Sequence, residues 1–203
     1  MEILFEDNDI IVCVKEPGVQ SEKSAGMNMP AMIEDHTGKE PFTVHRLDRD
    51  TGGVMVYAIS SFAAAELSRQ VRNGYITKRY YAVLKGVPEH KSGVLSDLLY
   101  HDRQKNKTFV VKRERNGVKK AELEYEIIRE GAGTSLADIR LLTGRTHQIR
   151  AQFAFHGHPL YGDGKYGGGP GKYKLFAYSL EFEHPKTGEK MSYSKIPEWA
   201  AVI

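Results

Sequence analysis

The sequence predicts an α+β fold built as a single domain, residues 1–203, with a large mixed, mainly antiparallel sheet flanked by helices and loops. Two observations carry that prediction. Short runs of β-branched and aromatic residues recur along the chain and outnumber the stretches with helical periodicity. No internal repeat, low-complexity tract or linker divides them.

The elements follow in order. Ile3–Phe5 and Ile10–Val14 read as two strands joined by the polar turn Glu6-Asp7-Asn8-Asp9. Gln20–Lys39 lacks periodicity, with "EKSAGMNMP" (Glu22–Pro30) suggesting a mobile surface segment. Val54–Ala58 is an apolar run made for a core. Ser60 caps an expected helix over Ser61–Val71, with Phe62, Ala65, Leu67 and Val71 as its apolar side and Asn73-Gly74 as its end. Tyr75–Val87 alternates as a strand. Thr108–Val111 reads as one arm of a basic hairpin turned by Asn116-Gly117. The following strand is the clearest in the chain: Ala121, Leu123, Tyr125 and Ile127 alternate with Lys120, Glu122, Glu124 and Glu126, so one face is buried and the other wet. Leu136–Leu142 adds a strand and His147–Phe155 a helix stopped by Gly157 and Pro159. Tyr173–Phe182 and Lys190–Tyr193 close the sheet around "HPKTGE".

Composition bounds the function. A chain that is 40% hydrophobic and 27% charged supports a real core and excludes a disordered protein. One cysteine, Cys13, excludes a disulfide framework and points to a reducing compartment. The start "MEILFEDNDIIVCVKE" lacks a basic n-region and a long apolar core, so a cytoplasmic location and no membrane partner are expected. Net charge is only +3, but His101–Lys120 holds eight Lys/Arg against Asp102 and Glu114, a local +6 that leaves −3 for the remainder. Such a block is the footprint of a polyanion site.

Three stretches resemble well-known sites without meeting their requirements. "GDGKYG" (Gly162–Gly167) matches a dinucleotide fingerprint in letters, but Pro159 precedes it and "GGPGKYK" cannot open the helix that faces a pyrophosphate. "GGGPGK" lacks the spacing of a P-loop, and Tyr173 stands where a Ser/Thr would meet magnesium. His156 and His158 have no Cys or His cluster beside them. No cofactor and no metal are expected.

The chemistry lies in "HRLDRDTGG" (His45–Gly53), "TKRYYAVLKG" (Thr77–Gly86) and "LLTGRTHQIRAQFAFHGHPLYGDGKYG" (Leu141–Gly167). In this order and spacing they resemble the RluA-type family of RNA pseudouridine synthases. Its H-R-L-D-x-x-T-x-G is met at His45–Gly53, its K-x-Y-x-A at Lys78–Ala82, and its T-G-R-x-H-Q-I-R and G-H-P-x-x-G-D at Thr143–Arg150 and Gly157–Asp163. Two departures stand out. Gly52 replaces a common serine and should loosen the turn. An S4-type RNA-binding module is expected to be absent, the chain starting directly with the catalytic domain.

The resemblance implies a cofactor-independent isomerase that breaks the C1′–N1 bond of a uridine, turns the base and joins C5 to C1′. Asp48 would be the nucleophile or base, Arg150 its ionic partner with Arg145 as the alternative, and Tyr80 the ring stacked on the target base. Arg46 would fill the place the base vacates. Lys78, Arg145, His147, Arg103, Lys105, Lys107, Lys112 and Arg113 would contact RNA, a ribosomal or transfer RNA with a stem-loop or partly unstacked region. A monomer that does not bind DNA is expected. Asp50 lies two residues from Asp48, so on an extended chain the two would share a side, as in a glycosidase-like pair. Asp50 is set aside because it falls at a variable motif position. A catalytically silent RNA-binding or ribosome-assembly protein is the rival reading.

Overall fold

The computed structural model describes residues 1–201. The fold is α+β, and the chain divides into two compact units: Met1–Lys78 with Phe176–Ile196, and Arg79–Leu175 with the closing segment from Pro197.

In the first unit, β1 (Glu2–Glu6), β2 (Ile10–Lys15), β4 (Gly52–Ala58) and β10 (Leu175–Glu183) lie in that order, β3 (Phe42–Thr43) pairs with β4, and β11 (Lys190–Ser194) pairs with β10. The β10/β4 pairing is parallel and the others are antiparallel, so the sheet is mixed. β2 and β4 are buried along their whole lengths, which is why neither shows a polar face in sequence. Ile10, Val12, Val54, Val56, Leu180 and Phe182 pack with Ala63 and Leu67 of α2 (Ser61–Asn73).

Helix α2 has the expected caps: Ser60 accepts the N–H of Ala63, and Gly74 ends it in the left-handed conformation. Its buried residues are Ala63, Leu67 and Gln70, whereas Phe62 is exposed, so the apolar side lies one step round from the expected one. The segment read as mobile instead contains α1 (Met29–Thr37). The Asn28 side chain caps it by accepting the N–H of Ala31, Pro30 suits its first turn, and Met29 and Ile33 are buried.

The second unit carries the order β5 (Thr77–Lys85), β9 (Thr134–Leu141), β8 (Val118–Gly131), β6 (Ser92–Asp102), β7 (Lys107–Val111). The basic hairpin is therefore not the expected one. Its arms are β6 and β7, turned at residues 103–106, while β8 pairs with the opposite edge of β6. Asn116-Gly117 does form a turn, closed by Val118 N–H to the Arg115 carbonyl, but it carries the chain across the end of β6. Helix α3 (Gln148–Phe155) packs on this sheet, with Phe153 edge-on to Tyr125 at 5.4 Å between ring centres.

Candidate active site

The segment His45–Thr51 leads into β4 and alternates in burial: His45 and Leu47 point inward, Arg46 is exposed and Asp48 is half-buried. Backbone anchors sit on both sides of Asp48. Ser21 Oγ accepts the Leu47 N–H at 3.2 Å and donates to the Leu47 carbonyl at 2.9 Å. The Arg49 carbonyl accepts from Lys15 Nζ at 2.9 Å and from the Gly18 N–H at 2.9 Å. These anchors fix the backbone position from which the Asp48 side chain projects.

Lys15 is fully buried, and its ammonium also donates to the carbonyls of Val19 (2.7 Å) and Glu16 (3.1 Å). Burial lowers its pKa to about 8, opposed by the negative charges of Asp50 and Asp48. His45 accepts the Val56 N–H at Nε2, 3.1 Å. Burial, with the Lys78 charge adding to it, lowers its pKa to about 3, so the imidazole is neutral. Arg46 reaches Glu22 at 2.7 Å with both side chains about half exposed, a pair that is easily released.

Two expectations about this segment are corrected. Asp48 and Asp50 do not lie on an extended chain. The Thr51 N–H bonds the Asp48 carbonyl at 3.0 Å, closing a turn over Arg49-Asp50, so the same-side argument for a carboxylate pair lapses. Gly52 and Gly53 belong to the strand, not to the turn, and lie in register with Phe176 and Ala177. Gly53 has φ +140°, and a Cβ there would stand 2.4 Å from the Ala177 carbonyl oxygen. A Cβ at Gly52 would stand 2.9 Å from the Phe176 ring, so this glycine serves close strand approach.

In the second unit the T-G-R-x-H-Q-I-R segment is tied to itself. Gln148 Oε1 accepts from Thr143 Oγ1 (2.8 Å) and from the Arg145 N–H (3.0 Å), and its Nε2 donates to the Glu122 carbonyl (3.0 Å). His147 takes the left-handed conformation, φ 52°, at the turn that opens α3. Arg145 is exposed and donates through Nε to the Lys120 carbonyl at 3.0 Å. Arg150 is buried and meets Asp163 with two bonds, Nε–Oδ2 at 2.6 Å and Nη2–Oδ1 at 3.0 Å. Its guanidinium also lies over the rings of Tyr173 (4.3 Å) and Tyr166 (5.0 Å).

The Tyr166 hydroxyl accepts the Thr108 N–H at 2.8 Å and bonds His147 Nδ1 at 2.9 Å. The glycine-rich loop that mimicked a nucleotide fingerprint thus carries Asp163 and Tyr166 to Arg150. Tyr80 is buried on β5. Of the other cations, Lys78 is half-buried with its pKa lowered by burial, and Lys107 lies over Phe109 and Tyr166 at 5.6 and 5.1 Å. Arg103, Lys105, Lys112 and Arg113 are exposed on the basic hairpin and the loop after it.

Sequence reasoning assigned no role to Lys15, Ser21, Asp163 or Tyr166. Asp163 alone had a signal, the last letter of G-H-P-x-x-G-D. Among the described residues no His/Cys/Asp/Glu group could hold a metal ion, and no helix is long and apolar enough to cross a membrane.

Comparison with known proteins bears on this arrangement. Residues 9–155 match the model of the RNA pseudouridylate synthase family. The chain is 31% identical over 216 residues to the uncharacterized RNA pseudouridine synthase YlyB of Bacillus subtilis, covering 98% of this chain and 70% of that protein. It is also 31% identical over 208 residues to ribosomal large subunit pseudouridine synthase C of Haemophilus influenzae, covering 95% and 64%. The solved structure of human RNA pseudouridylate synthase domain containing 4 shares the fold, with a TM-score of 0.82 at 21% identity over 98% of this chain and 90% of that one.

Proposed function

The chain belongs to the RNA pseudouridylate synthase family, whose members are isomerases, and we propose that it converts a uridine of ribosomal RNA to pseudouridine with Asp48 as the reacting carboxylate. One observation supports Asp48 above its neighbours: the backbone is anchored at the residue on each side of it, Leu47 by Ser21 and Arg49 by Lys15 and Gly18. Asp50 sits in the turn itself and is exposed.

In this reading the C1′–N1 bond breaks, the base turns, C5 bonds to C1′, and the C5 proton is lost while N1 gains one. Asp48 acts as nucleophile or base, and Arg150, set by Asp163, holds positive charge for the carboxylate. Tyr80 stacks on the base, offering a flat face on a rigid body. Arg46, held only by a surface pair, swings into the place the uridine leaves. Lys78, Arg145, His147 and the cations Arg103, Lys105, Lys107, Lys112 and Arg113 serve the RNA, whose phosphate contacts offset an unstacking cost of a few kcal/mol.

Ribosomal RNA is favoured over transfer RNA because the Haemophilus influenzae relative is named for the large ribosomal subunit. The test is pseudouridine mapping across cellular RNA with and without the gene, followed by rescue with Asp48→Asn. Loss of one or a few rRNA pseudouridines, restored by the wild type and not by the variant, is the expected result. A lost transfer-RNA site would move the substrate. Full rescue by folded Asp48→Asn would remove Asp48 from the chemistry. RNA binding with no pseudouridine from wild-type protein would favour the silent RNA-binding reading.

A further inference from the structure

A cleft of about 740 Å³ opens between the tip of the β6/β7 hairpin, the turn at Asn116-Gly117 and the loop Gly144–Thr146. Its volume is within the roughly 300–1,000 Å³ of pockets that enclose one small organic ligand. Arg103, Lys119 and Arg145 come to it from three different segments. Among the described residues none of these three has a carboxylate within salt-bridge distance, and all are exposed. The cleft's acid, Asp102, accepts the Lys105 N–H at 3.0 Å. Three uncompensated cations against one occupied carboxylate make a site for an anion.

The remaining walls carry groups that read a base edge. Gln104 and Asn116 offer amides, with both donor and acceptor atoms. His101 contributes a defined tautomer. Thr108 is buried, and its hydroxyl spends its one proton on the Thr146 carbonyl at 2.7 Å. It must therefore accept from His101 Nδ1–H at 3.0 Å, which leaves Nε2 of the neutral ring as an acceptor. Cations beside neutral donor–acceptor groups match a nucleotide, whose phosphate takes the charge and whose base edge pairs with the amides.

The same Thr108 joins the cleft to the residues around Arg150. Its N–H donates to Tyr166, which bonds His147 and lies under the Arg150 guanidinium. Thr108 thus links the cleft wall to a ring that touches Arg150.

We propose that this cleft binds a second, unstacked nucleotide of the RNA, distinct from the target uridine, with its phosphate on Arg103, Lys119 and Arg145 and its base edge on His101, Gln104 and Asn116. The inference rests on the proposed function for the identity of the polymer. It makes the cleft a specificity element: a target would need a second extruded nucleotide at a fixed distance, which favours loops and bulges.

The experiment uses Asp48→Asn protein, so that binding is read apart from turnover, with purified ribosomal RNA as the probe. Arg103→Ala/Lys119→Ala in that background should weaken binding more than tenfold and lower the slope of log affinity against log salt by about 0.7, the one phosphate contact on single-stranded RNA that the cleft supplies. Ultraviolet crosslinking of 4-thiouridine-substituted RNA should label the peptides containing His101–Gln104, and the double variant should lose that label. Affinity within twofold of the parent, or no crosslink at the cleft, would overturn the proposal, as would no affinity of the parent for RNA. Displacement of RNA by poly-glutamate at equal charge concentration would overturn it in favour of an acidic peptide. Pseudouridine assays on the wild type decide the enzymatic reading separately, because the binding arm does not use turnover.

Discussion

Lys15→Met is the sharpest perturbation of the loop that carries Asp48. It keeps an unbranched apolar stem in the fully buried space and deletes the ammonium. Two terms oppose each other. The folded pKa of about 8 against an ordinary 10.5 means that burying the charged form costs about 3 kcal/mol, which the variant regains at neutral pH. Against this, the Val19 carbonyl loses its ammonium donor, at about 1–3 kcal/mol for an unmet buried acceptor. The Arg49 carbonyl keeps the Gly18 N–H and the Glu16 carbonyl keeps the Val19 N–H. Near pH 7 the two proteins should therefore differ by no more than about 2 kcal/mol.

The pH dependence separates the terms. Below pH 8 both folded and unfolded Lys15 are protonated and the penalty is fully present. Between 8 and 10.5 the unfolded state holds the extra proton, so wild-type stability rises with pH relative to the variant. Urea unfolding of both proteins at pH 7.5 and pH 9.5 should show the wild type gaining about 2 kcal/mol on the variant. Other lysines and tyrosines titrate in both proteins and cancel in the difference. A difference constant within about 0.5 kcal/mol would refute the claim that a charged lysine is buried under this loop.

His45 makes the opposite limb. Its folded pKa of about 3, below the usual 6.5, gives stability that is complete above 6.5 and drains away as pH falls toward 3. Between pH 6.5 and 5 the wild type should lose about 2 kcal/mol that His45→Gln does not, read by urea unfolding at the two pH values. Asp163→Asn strips the buried Arg150 of its bidentate carboxylate and should cost about 3 kcal/mol or more of stability. It should also lower pseudouridine formation at saturating RNA, where loss of a mere surface charge would change affinity alone.

Much of the fold was legible because period and punctuation agreed. β8 alternates in sequence and in burial, and α2 begins and ends at the residues its caps require. Helix α1 was not legible: only nine residues long, it rests on the Asn28 cap and three buried residues, too few for a repeating pattern. The hairpin was misplaced because Asn-Gly marks a turn without saying which strand the chain will join next. Gly52-Gly53 reads locally as a turn, and only the approach of Phe176 and Ala177, more than a hundred residues on, makes it a strand.

The site divides along the same line. Asp48, Arg150 and Tyr80 were visible as motif letters, whereas what fixes them was not. Lys15 ends an apolar strand and looks like a residue leaving the core for water. It stays inside because three carbonyls converge on its ammonium, two from the turn that follows it and one from Arg49, and nothing in residues 10–15 encodes that convergence. Ser21 sits in a segment with no periodicity and grips Leu47 by both backbone groups. The proposed reaction needs a carboxylate held in place while a base is broken off, turned and rejoined, which calls for a stiff support. Backbone anchors on either side supply that stiffness while leaving Asp48 half-buried, and Arg46, one step from the same anchors, stays exposed and movable. Charges two residues apart can thus sit differently, one on an anchored backbone and one in an exposed surface pair.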